Sequence, residues 1–528
     1  MMKKKVNTSG LCLLSLFMMA SVVMMADPPY CKADLLLPID IKPNDARNII
    51  NMRSHGNIPV AILGNPTFDV VNFVDRTSLT FGASGDEPSL DPSRFGVRDV
   101  NRDNLPDLIC YFEIQLIGFT SGDTVGILKG MLLDGNPFQG EDSVIIRGGA
   151  EGREDFVLLS SVTVDGGSNG DDQPRGLALD EDGNVYVTGY VSVPGQGKNI
   201  WLAKYDSDLV LLDSITIDGL ANGDDEGYTI ALDGNGYLYV IGYMTEEDED
   251  HNVWLAKFDT DLVPQGQITE NGSNDSTDDG YGILYDGAGY LYVAGTLTQT
   301  DEGNNIWIAK YNTNLVLQTS TILNGPGNGT DKGRFLALDG NGNLFVSGSA
   351  TPLSSRYAIW LGKFDIDLNL QDDLIIEGTG TGEDKGYGLV FDGIDTLYVT
   401  GTMTESTEGY NIWLAKYDTD LNPIRSITLN DPVDGEDVSY SIVLDDDRYI
   451  YQIGDYTEAV GGTNIWIARY NKNLQLRSYI TIDGPAGGYD SGFGVIRGID
   501  RDIYVTGIIS DAVEGPNIWI ARYRVSRR

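Results

Sequence analysis

The segment N-I-W-L-A-K-Y, from Asn199 to Tyr205, decides the fold because its tryptophan recurs at a fixed interval. All seven tryptophans of the 528-residue chain are separated by steps of 53 residues, with no insertion or deletion. They are Trp201, Trp254, Trp307, Trp360, Trp413, Trp466 and Trp519. A fixed period of this length indicates a protein built from structural repeats.

A glycine and an aspartate keep the same 53-residue step. The glycines are Gly189, Gly242, Gly295, Gly348, Gly401, Gly454 and Gly507, and the aspartates are Asp172, Asp225, Asp278, Asp331, Asp384, Asp437 and Asp490. A residue kept in every unit is best explained by a need that every unit shares.

Each unit contains four strand-like runs. In the second unit these are Tyr228 to Asp233, Tyr237 to Tyr243, Asn252 to Phe258, and a last run that ends near Ile268. Short runs of aromatic and β-branched residues, separated by Gly, Asn and Asp turns, are typical of β-meanders. No segment shows a convincing helical period, so the chain is predicted to be all-β.

The two ends of the repeat region predict a closed ring. Leu158 to Val164 matches the fourth strand of later units, such as Leu211 to Ile217, whereas the last unit stops at Tyr523 without a fourth strand. The early strand can therefore complete the final unit and pair its open edge. Residues 151–528 are predicted to form a seven-bladed β-propeller, closed by strand 158–164. The alternative is a linear β-solenoid, which needs no such permutation. The tryptophans are expected to pack between neighbouring blades.

The N-terminus has the pattern of a secretory signal. Lys3 to Lys5 form a basic region, Leu11 to Val23 is apolar but short for a membrane span, and cleavage is expected after Ala26. No later segment is apolar enough to span a bilayer. The predicted location is secreted, extracellular or on the cell surface, with the periplasm as an alternative.

Residues 27–150 lack the 53-residue period. Their β-like runs are Ile58 to Leu63, Ser78 to Phe81, Leu108 to Leu116 and Thr124 to Leu132, separated by Gly, Pro, Asn and Asp turns. This pattern predicts a small β-sandwich-like domain ahead of the propeller.

One loop of this module has the spacing of calcium ligands. Asp99, Asn101, Asp103, Leu105 (through its carbonyl) and Asp107 occupy positions 1, 3, 5, 7 and 9 of a calcium-type loop. Position 6 is Asn104 instead of glycine, and position 12 is Cys110 instead of glutamate. The sequence favours a structural Ca²⁺ ion, and the alternative is an Asx-rich turn without metal.

The formal net charge of -42 excludes some partners. So acidic a surface repels the phosphate backbone, so a nucleic-acid partner is not expected. Most of the charge is expected to keep a Gly-rich β protein in solution.

Of the three cysteines, Cys12 leaves with the signal peptide, and export would permit a disulfide between Cys31 and Cys110. Two free thiols are an equal alternative.

The propeller offers one candidate binding site. Three positions after the repeated aspartates come Arg175, Tyr228, Tyr281, Arg334, Tyr387, Tyr440 and Phe493. Aspartates and aromatic residues together could form a ring at the mouth of the central channel that holds a cation or a sugar. The alternative, which the sequence favours for the aspartates, is that each hydrogen-bonds backbone amides at a blade junction. Ligand specificity is expected from the loops that differ between blades.

The sequence disfavours catalysis. The mature chain has two histidines, His55 and His251, in different domains, so a histidine-based triad or zinc site is not expected. No Gly-rich phosphate loop precedes a helix, and no blade carries an insertion. A paired-carboxylate glycosidase stays open, because acidic residues are abundant everywhere.

The units resemble the bacterial β-propeller repeat called SBBP. The resemblance lies in G-L-A-L-D-E-D-G-N-V-Y-V-T-G-Y (Gly176 to Tyr190) and in N-I-W-L-A-K-Y, and it extends over about residues 158–528. It implies a secreted or surface protein, usually without an assigned activity. Ile39 to Pro43, Ile58 to Leu63 and Asp99 to Leu108 resemble a module common at the start of secreted bacterial proteins.

Three functions follow as hypotheses. The first is a non-catalytic, monomeric extracellular propeller that binds a carbohydrate or a protein. The second is a carbohydrate-active lyase or glycoside hydrolase working at the channel mouth, and the third is a structural surface or matrix component. An asymmetric cluster of carboxylates with a Tyr or Arg at one side of the channel would favour the enzyme.

Overall fold

The computed structural model describes residues 35–526 apart from 44, 46, 53, 55, 86, 120–122, 148–154, 167–169, 222, 247–249, 274–275, 301, 354–355, 406–408, 431–434, 446–447, 459–461, 486, 500 and 512–514. The predicted signal peptide, Cys31 and His55 lie outside the described residues. The chain divides into two compact units, Met1–Gly152 and Arg153–Arg528. No helix in the described part of the chain is long and apolar enough to cross a membrane.

The first unit is built from short strands. They are β1 (Leu35–Leu36), β2 (Ile39–Ile41), β3 (Ile49–Asn51), β4 (Asn57–Ile62), β5 (Val74–Gly82), β6 (Leu90–Arg98), β7 (Asp107–Glu113), β8 (Val125–Leu132), β9 (Pro137–Ser143) and β10 (Ile145–Arg147), with helix α1 (Val70–Phe73) and a 3₁₀ turn at Ile114–Leu116. Two four-stranded sheets, ordered β1-β9-β8-β5 and β2-β4-β7-β6, share one hydrophobic core, and β3 pairs with β10. The rings of Phe81 in β5 and Phe112 in β7 meet in that core with centroids 5.1 Å apart.

The second unit consists of longer strands. They are β11 (Phe156–Val164), β12 (Gln173–Leu179), β13 (Val185–Val193), β14 (Gly197–Tyr205), β15 (Leu211–Ile217), β16 (Glu226–Leu232), β17 (Tyr237–Thr245), β18 (His251–Asp259), β19 (Pro264–Glu270), β20 (Asp279–Tyr285), β21 (Tyr290–Gln299), β22 (Gly303–Asn312), β23 (Leu317–Leu323), β24 (Lys332–Leu338), β25 (Asn343–Ala350), β26 (Ala358–Asp365), β27 (Leu370–Ile376), β28 (Lys385–Phe391), β29 (Thr396–Thr404), β30 (Tyr410–Asp418), β31 (Pro423–Leu429), β32 (Val438–Leu444), β33 (Tyr449–Glu458), β34 (Gly462–Asn471), β35 (Leu476–Ile482), β36 (Ser491–Arg497), β37 (Asp502–Asp511) and β38 (Gly515–Val525).

These strands form seven four-stranded antiparallel sheets within the described residues of the second unit. Six sheets contain consecutive strands: β12–β15, β16–β19, β20–β23, β24–β27, β28–β31 and β32–β35. The seventh has the order β11-β38-β37-β36, so a strand from the start of the unit completes the sheet at its end, with Val162 opposite Ile520. The predicted all-β class and the four-stranded antiparallel sheets are confirmed.

The turn between the third and fourth strands shows why the sequence repeats Asp or Asn and Leu there. In the second sheet the Asp259 carboxylate accepts the N–H groups of Asp261 at 3.1 Å and Val263 at 2.9 Å. This turn forces Leu262 to a φ of 61°, a conformation that non-glycine residues rarely adopt. Its side chain is 2% exposed, so burial in the core holds the strained turn in place.

Hydrophobic clusters fill the space between each sheet and the next. Tyr186 and Leu202 of the first sheet pack with Trp254 of the second. The series continues to the last sheet, where Ile518 packs with Trp201 of the first sheet. The first strand of each sheet also contacts the first strand of the next, and β36 contacts β12. The tryptophans are 0–5% exposed, one in each of these seven clusters, which confirms their predicted place between neighbouring sheets.

The repeated glycine is required by a close backbone approach. Gly401 in β29 lies opposite Trp413 on one side and Gly386 on the other, where the register of the β28–β29 pair is irregular. A Cβ at Gly401 would collide with the carbonyl oxygen of Lys385. The equivalent carbonyl is the nearest atom at all seven repeated glycines, so the 53-residue glycine step reflects one packing requirement repeated seven times.

Candidate functional site

The repeated aspartates are fully buried and bind main-chain amides. Asp225 Oδ2 accepts the Gly219 N–H at 2.6 Å, and its Oδ1 accepts the Thr245 N–H at 2.7 Å. The same two bonds recur at Asp172, Asp278, Asp331, Asp384 and Asp490, and the Oδ1 bond recurs at Asp437. Burial raises the pKa of Asp225 to about 6, although these amides act in the opposite direction.

These bonds give the aspartates a structural position. Each carboxylate ties the chain entering a sheet to the end of that sheet's second strand. All seven aspartates are 0% exposed, and none lines the cavity described below. The structure therefore favours the backbone-anchoring interpretation over a ring of carboxylates that holds a cation.

The residues three positions after the aspartates do come together. Arg175, Tyr228, Tyr281, Arg334, Tyr387, Tyr440 and Phe493 form a closed circle of contacts, here called the aromatic–arginine ring. Measured between ring centroids, or from a guanidinium carbon to a ring centroid, the successive separations are 5.4 Å (Arg175–Tyr228), 5.0 Å (Tyr228–Tyr281), 5.0 Å (Arg334–Tyr281), 4.7 Å (Arg334–Tyr387), 5.0 Å (Tyr387–Tyr440), 5.4 Å (Tyr440–Phe493) and 5.1 Å (Arg175–Phe493). Edge-to-face and cation–π contacts of this kind stabilise one another's orientation.

A cavity of 520 Å³ is bounded by this ring. All seven ring residues line it, together with Lys332. Leu177, Phe335, Ile442 and Val495, from four first strands, supply apolar walls. The cavity thus combines an apolar wall with aromatic faces and a few cationic groups, as small-molecule sites commonly do.

At one side of the ring, Arg175 is neutralised by a carboxylate. Its Nη2 lies 3.1 Å from Glu226 Oε2, and Lys198 Nζ lies 3.7 Å from Glu226 Oε1. The Glu226 side chain is 5% exposed, so its carboxylate is largely removed from water. Two cations sharing one buried carboxylate hold that side of the ring rigidly.

Next to this cluster, His251 stacks on Tyr243 with centroids 3.9 Å apart and an interplanar angle of 8°. Its Nδ1 lies 3.6 Å from Asp279 Oδ1, while the Tyr281 hydroxyl donates to Asp279 Oδ2 at 2.6 Å. Burial lowers the pKa of His251, but the neighbouring Asp279 outweighs it and the net shift is upward. Burial raises the pKa of Asp279, but His251, Lys332 and Tyr281 outweigh it and the net shift is downward.

Lys332 lies beside Asp279 and Tyr281. Its Nζ donates to the Tyr281 hydroxyl at 2.6 Å and lies 4.0 Å from Asp279 Oδ2. Burial and the positive charges of Arg334 and Lys385 lower the pKa of Lys332 to about 8. A lysine on a cavity wall whose pKa lies near neutral pH is a candidate functional group.

A second carboxylate, Asp455, lies beside Tyr440. The Ser491 hydroxyl donates to Asp455 Oδ1 at 2.6 Å, and the Tyr489 hydroxyl donates to Oδ2 at 2.9 Å. Asp455 is 2% exposed, and burial raises its pKa to about 7. The groups around the ring therefore differ from side to side, although the ring positions themselves repeat.

Sequence reasoning missed several of these residues. Glu226, Asp279, Lys332 and Lys385 each directly follow a repeated aspartate and precede a ring residue by two positions. Residues two apart on a strand share a face, so the ring positions could have pointed to them. Their chemistry varies from unit to unit, which hid them from a search for constant residues.

The loop from Asp99 to Asp107 in the first unit uses its side chains locally. Asp99 accepts the N–H groups of Arg102 at 2.6 Å and Asn104 at 2.9 Å, and Asp103 accepts that of Leu105 at 2.8 Å. Both oxygens of the buried Asp107 bind amides, those of Gly64 and Val100. No group of three acidic, histidine or cysteine residues in the described ranges is arranged to hold a metal. The arrangement fits an Asx-rich turn, and calcium stays a prediction.

Cys110 in β7 is buried and has no disulfide partner within the described residues. Burial raises the pKa of its thiol to about 12, so the reactive thiolate is strongly disfavoured. The predicted alternatives, a bond to Cys31 or two free thiols, both stay open because Cys31 lies outside the described residues.

Comparisons with known proteins identify the repeat. Residues 166–190 match the family described as the SBBP β-propeller repeat. No curated protein matches the chain. A solved structure described as the crystal structure of the eukaryotic initiation factor aligns with 67% of this chain and 88% of its own, at 8% identity and a TM-score of 0.31. A likeness of that degree carries no inference about function.

Proposed function

We propose that this chain, which carries an SBBP β-propeller repeat at residues 166–190, is an exported seven-bladed β-propeller that binds a ligand at its channel mouth without transforming it. The circuit of seven hydrophobic clusters supports closure, because no sheet is left at an open end. The pairing of β11 with β38 supports it as well, since it covers an edge that a linear solenoid would expose. The first unit is proposed to be a β-sandwich-like module.

The aromatic–arginine ring around the 520 Å³ cavity is the observation that carries the binding role. The volume lies in the range of small-ligand sites, which are roughly 300–1,000 Å³. Aromatic faces can pack against the C–H faces of a sugar, while Lys332, which lines the cavity, can donate hydrogen bonds to its hydroxyl groups. We therefore propose a carbohydrate as ligand, with a protein partner as the alternative if no sugar binds.

The test is a glycan-array screen of residues 27–528, run in calcium and again in EDTA, with one ring variant and one control. Tyr387→Ala removes a ring member, and Tyr479→Ala removes an exposed tyrosine from the outer strand β35. We expect the unchanged protein and Tyr479→Ala to bind the same glycans, and Tyr387→Ala to bind at least about tenfold more weakly. Absence of binding to every glycan would contradict the carbohydrate role.

A carbohydrate-active enzyme is the second candidate, and the asymmetry of the site is what favours it. His251, Asp279, Tyr281 and Lys332 lie together at one side, with ionisable groups close enough to exchange protons. If glycans that bind are cleaved, the products distinguish a hydrolase (new reducing ends) from a lyase (an unsaturated, ultraviolet-absorbing product). Binding without either product supports the non-catalytic role. A structural surface component would instead show self-association and no soluble ligand.

Export is proposed from the N-terminal pattern alone. Lys3 to Lys5 followed by the apolar Leu11 to Val23 predict cleavage after Ala26. Mass spectrometry of the protein from culture medium and from cell fractions should find a mature chain that begins at Asp27. An intact N-terminus on protein inside the cell would contradict export.

A further inference from the structure

Cationic groups are concentrated at one side of a cavity in a strongly acidic chain. The sequence has 36 Lys and Arg against 78 Asp and Glu. Even so, Lys332 and Arg334 both line the cavity from strand β24, and Lys385 begins the first strand of the next sheet. This local positive charge is opposite in sign to the net charge of the chain. The need for solubility therefore does not explain it.

Arg334 is paired with no carboxylate in the part of the chain that the structure describes. No ion pair involves it among the described residues, and its Nε is buried without a hydrogen-bond acceptor. Its guanidinium carbon lies 5.0 Å from the Tyr281 ring and 4.7 Å from the Tyr387 ring, so the two aromatic side chains hold it in place. The corresponding arginine in the first sheet, Arg175, has Glu226 at 3.1 Å. The contrast marks Arg334 as a cavity-lining cation that is paired with no carboxylate among the described residues.

The neighbouring carboxylates do not supply that charge. Asp279 lies 4.0 Å from Lys332 but also 3.6 Å from His251. Glu383 pairs with Lys385 at 2.7 Å and is 40% exposed, so much of its effect is screened by water. Burial and repulsion from Arg334 and Lys385 lower the pKa of Lys332, and attraction to Asp279 offsets this shift only in part.

We propose that Lys332 and Arg334, with Lys385 on the first strand of the next sheet, form a subsite that binds the carboxylate of an acidic saccharide, a uronic-acid residue. This inference rests on the proposed function and names the ligand class of the same cavity. A planar carboxylate can take parallel hydrogen bonds from a guanidinium edge and a further one from an ammonium group. The flanking Tyr281 and Tyr387 rings present apolar surface to the sugar that carries it.

The experiment measures binding of uronic-acid trisaccharides (galacturonate, glucuronate and mannuronate), each beside its carboxyl-reduced counterpart, by titration calorimetry on residues 27–528. Arg334→Gln removes one charge from the subsite. Arg477→Gln removes the same charge from an exposed arginine in the outer strand β35, whose guanidinium donates a hydrogen bond to Gln475. Arg334→Lys keeps the charge but not the fork, and thermal unfolding of each variant verifies folding.

We expect at least one acidic trisaccharide to bind about tenfold or more tightly than its reduced form. Arg334→Gln should abolish that preference while leaving binding of the reduced form unchanged, Arg334→Lys should retain part of it, and Arg477→Gln should retain all of it. Inorganic phosphate is added as a competitor. If phosphate binds and no uronate is preferred, the site binds anions but the saccharide assignment is wrong.

Two failures remain distinguishable. If acidic and reduced sugars bind equally and Tyr387→Ala weakens both, the cavity binds carbohydrate but the carboxylate subsite is wrong. If neither form binds, the carbohydrate function itself fails, and the subsite fails with it.

Discussion

Asp384 shows at the scale of one residue what the repeated aspartate does. It accepts the N–H groups of Gly378 at 2.6 Å and Thr404 at 2.7 Å, and it is 0% exposed. Asp384→Ala would leave two amides without their acceptor inside the protein. We expect the free energy of unfolding to fall by about 2–4 kcal/mol, measured by urea denaturation.

The matched control is Asp367→Ala, which removes an exposed carboxylate that accepts no hydrogen bond from any described residue. Its free energy of unfolding should stay within about 0.5 kcal/mol of the unchanged protein. Equal effects of the two variants would show that Asp384 does not anchor the chain at Gly378 and Thr404.

Asp455 predicts how stability depends on pH. Burial raises its pKa to about 7 in the folded protein, against about 3.9 in an unfolded chain. The folded state therefore binds the proton more tightly, and this residue makes stability fall as pH rises from about 4 to 7 and level off above. The unchanged protein should lose up to about 4 kcal/mol more than Asp455→Asn between these limits. Parallel curves for both proteins would contradict the raised pKa.

The sequence located the ring residues because they lie three positions after a repeated aspartate, yet it could not show which way each side chain points. The aspartates and the ring residues share the same step, and only the structure separates the buried amide-binding group from the group that lines a cavity. Lys332 and Glu226 were missed because the residue at their position in the repeat changes charge from unit to unit. Such a position does not stand out among the residues that the repeat keeps constant. Physical context decides their roles: a shared strand face, burial, and the counter-charge at hand.

At the scale of one element, the second strand of each sheet depends on its glycine. Gly401→Ala would drive a methyl group into the Lys385 carbonyl, and neither backbone can retreat because Trp413 lies opposite. We expect a loss of about 3 kcal/mol or more in the free energy of unfolding. Gly266→Ala in the outer strand β19 is the control, since nothing lies within 4 Å of the added Cβ. A loss equal to that of the control would disprove the steric requirement.

The loop between β6 and β7 gives a prediction about metal removal. The proposed calcium ligands are Asp99, Asn101, Asp103, Leu105 and Asp107. If they bind the ion, about 1 mM calcium should raise the melting temperature above its value in EDTA, because a ligand that binds the folded state stabilises it. Asp103→Ala should remove the difference. Identical melting temperatures in both buffers would leave the Asx-rich turn as the whole account of this loop.

Strand positions were predicted well where the pattern repeats. The predicted runs Tyr237 to Tyr243 and Asn252 to Phe258 fall inside β17 and β18. Helix α1 was missed because four residues are too few to show a period, although Asp69 caps it through the N–H groups of Val71 and Asn72. Strand β6 was missed as well, since its proline and charged residues lack the usual alternation.

At the scale of the whole molecule, strand β11 joins the start of the second unit to its end. Val162 packs against the cluster between the seventh and first sheets. Val162→Asp would place a charge there, so we expect a loss of about 2–4 kcal/mol and faster amide exchange in β12 and β36 together. Leu158→Asp, at a side chain 49% exposed in the same strand, should change neither measurement appreciably. Exchange that rises in β11 alone would show that the strand is dispensable to its neighbours.

The pairing of β11 with β38 also sets how this unit would respond to a mechanical load. The strands run antiparallel, and Phe156 at the start of β11 lies opposite Val525 at the end of β38. Just beyond, the Ser526 N–H donates to the Asp155 carbonyl at 2.9 Å. Tension applied through these two chain ends would therefore act on one rung of the ladder at a time, like a zipper, and not on all rungs in shear. Pulling on the two chain ends should separate β11 from β38 at low force, before any of the other six sheets unfolds.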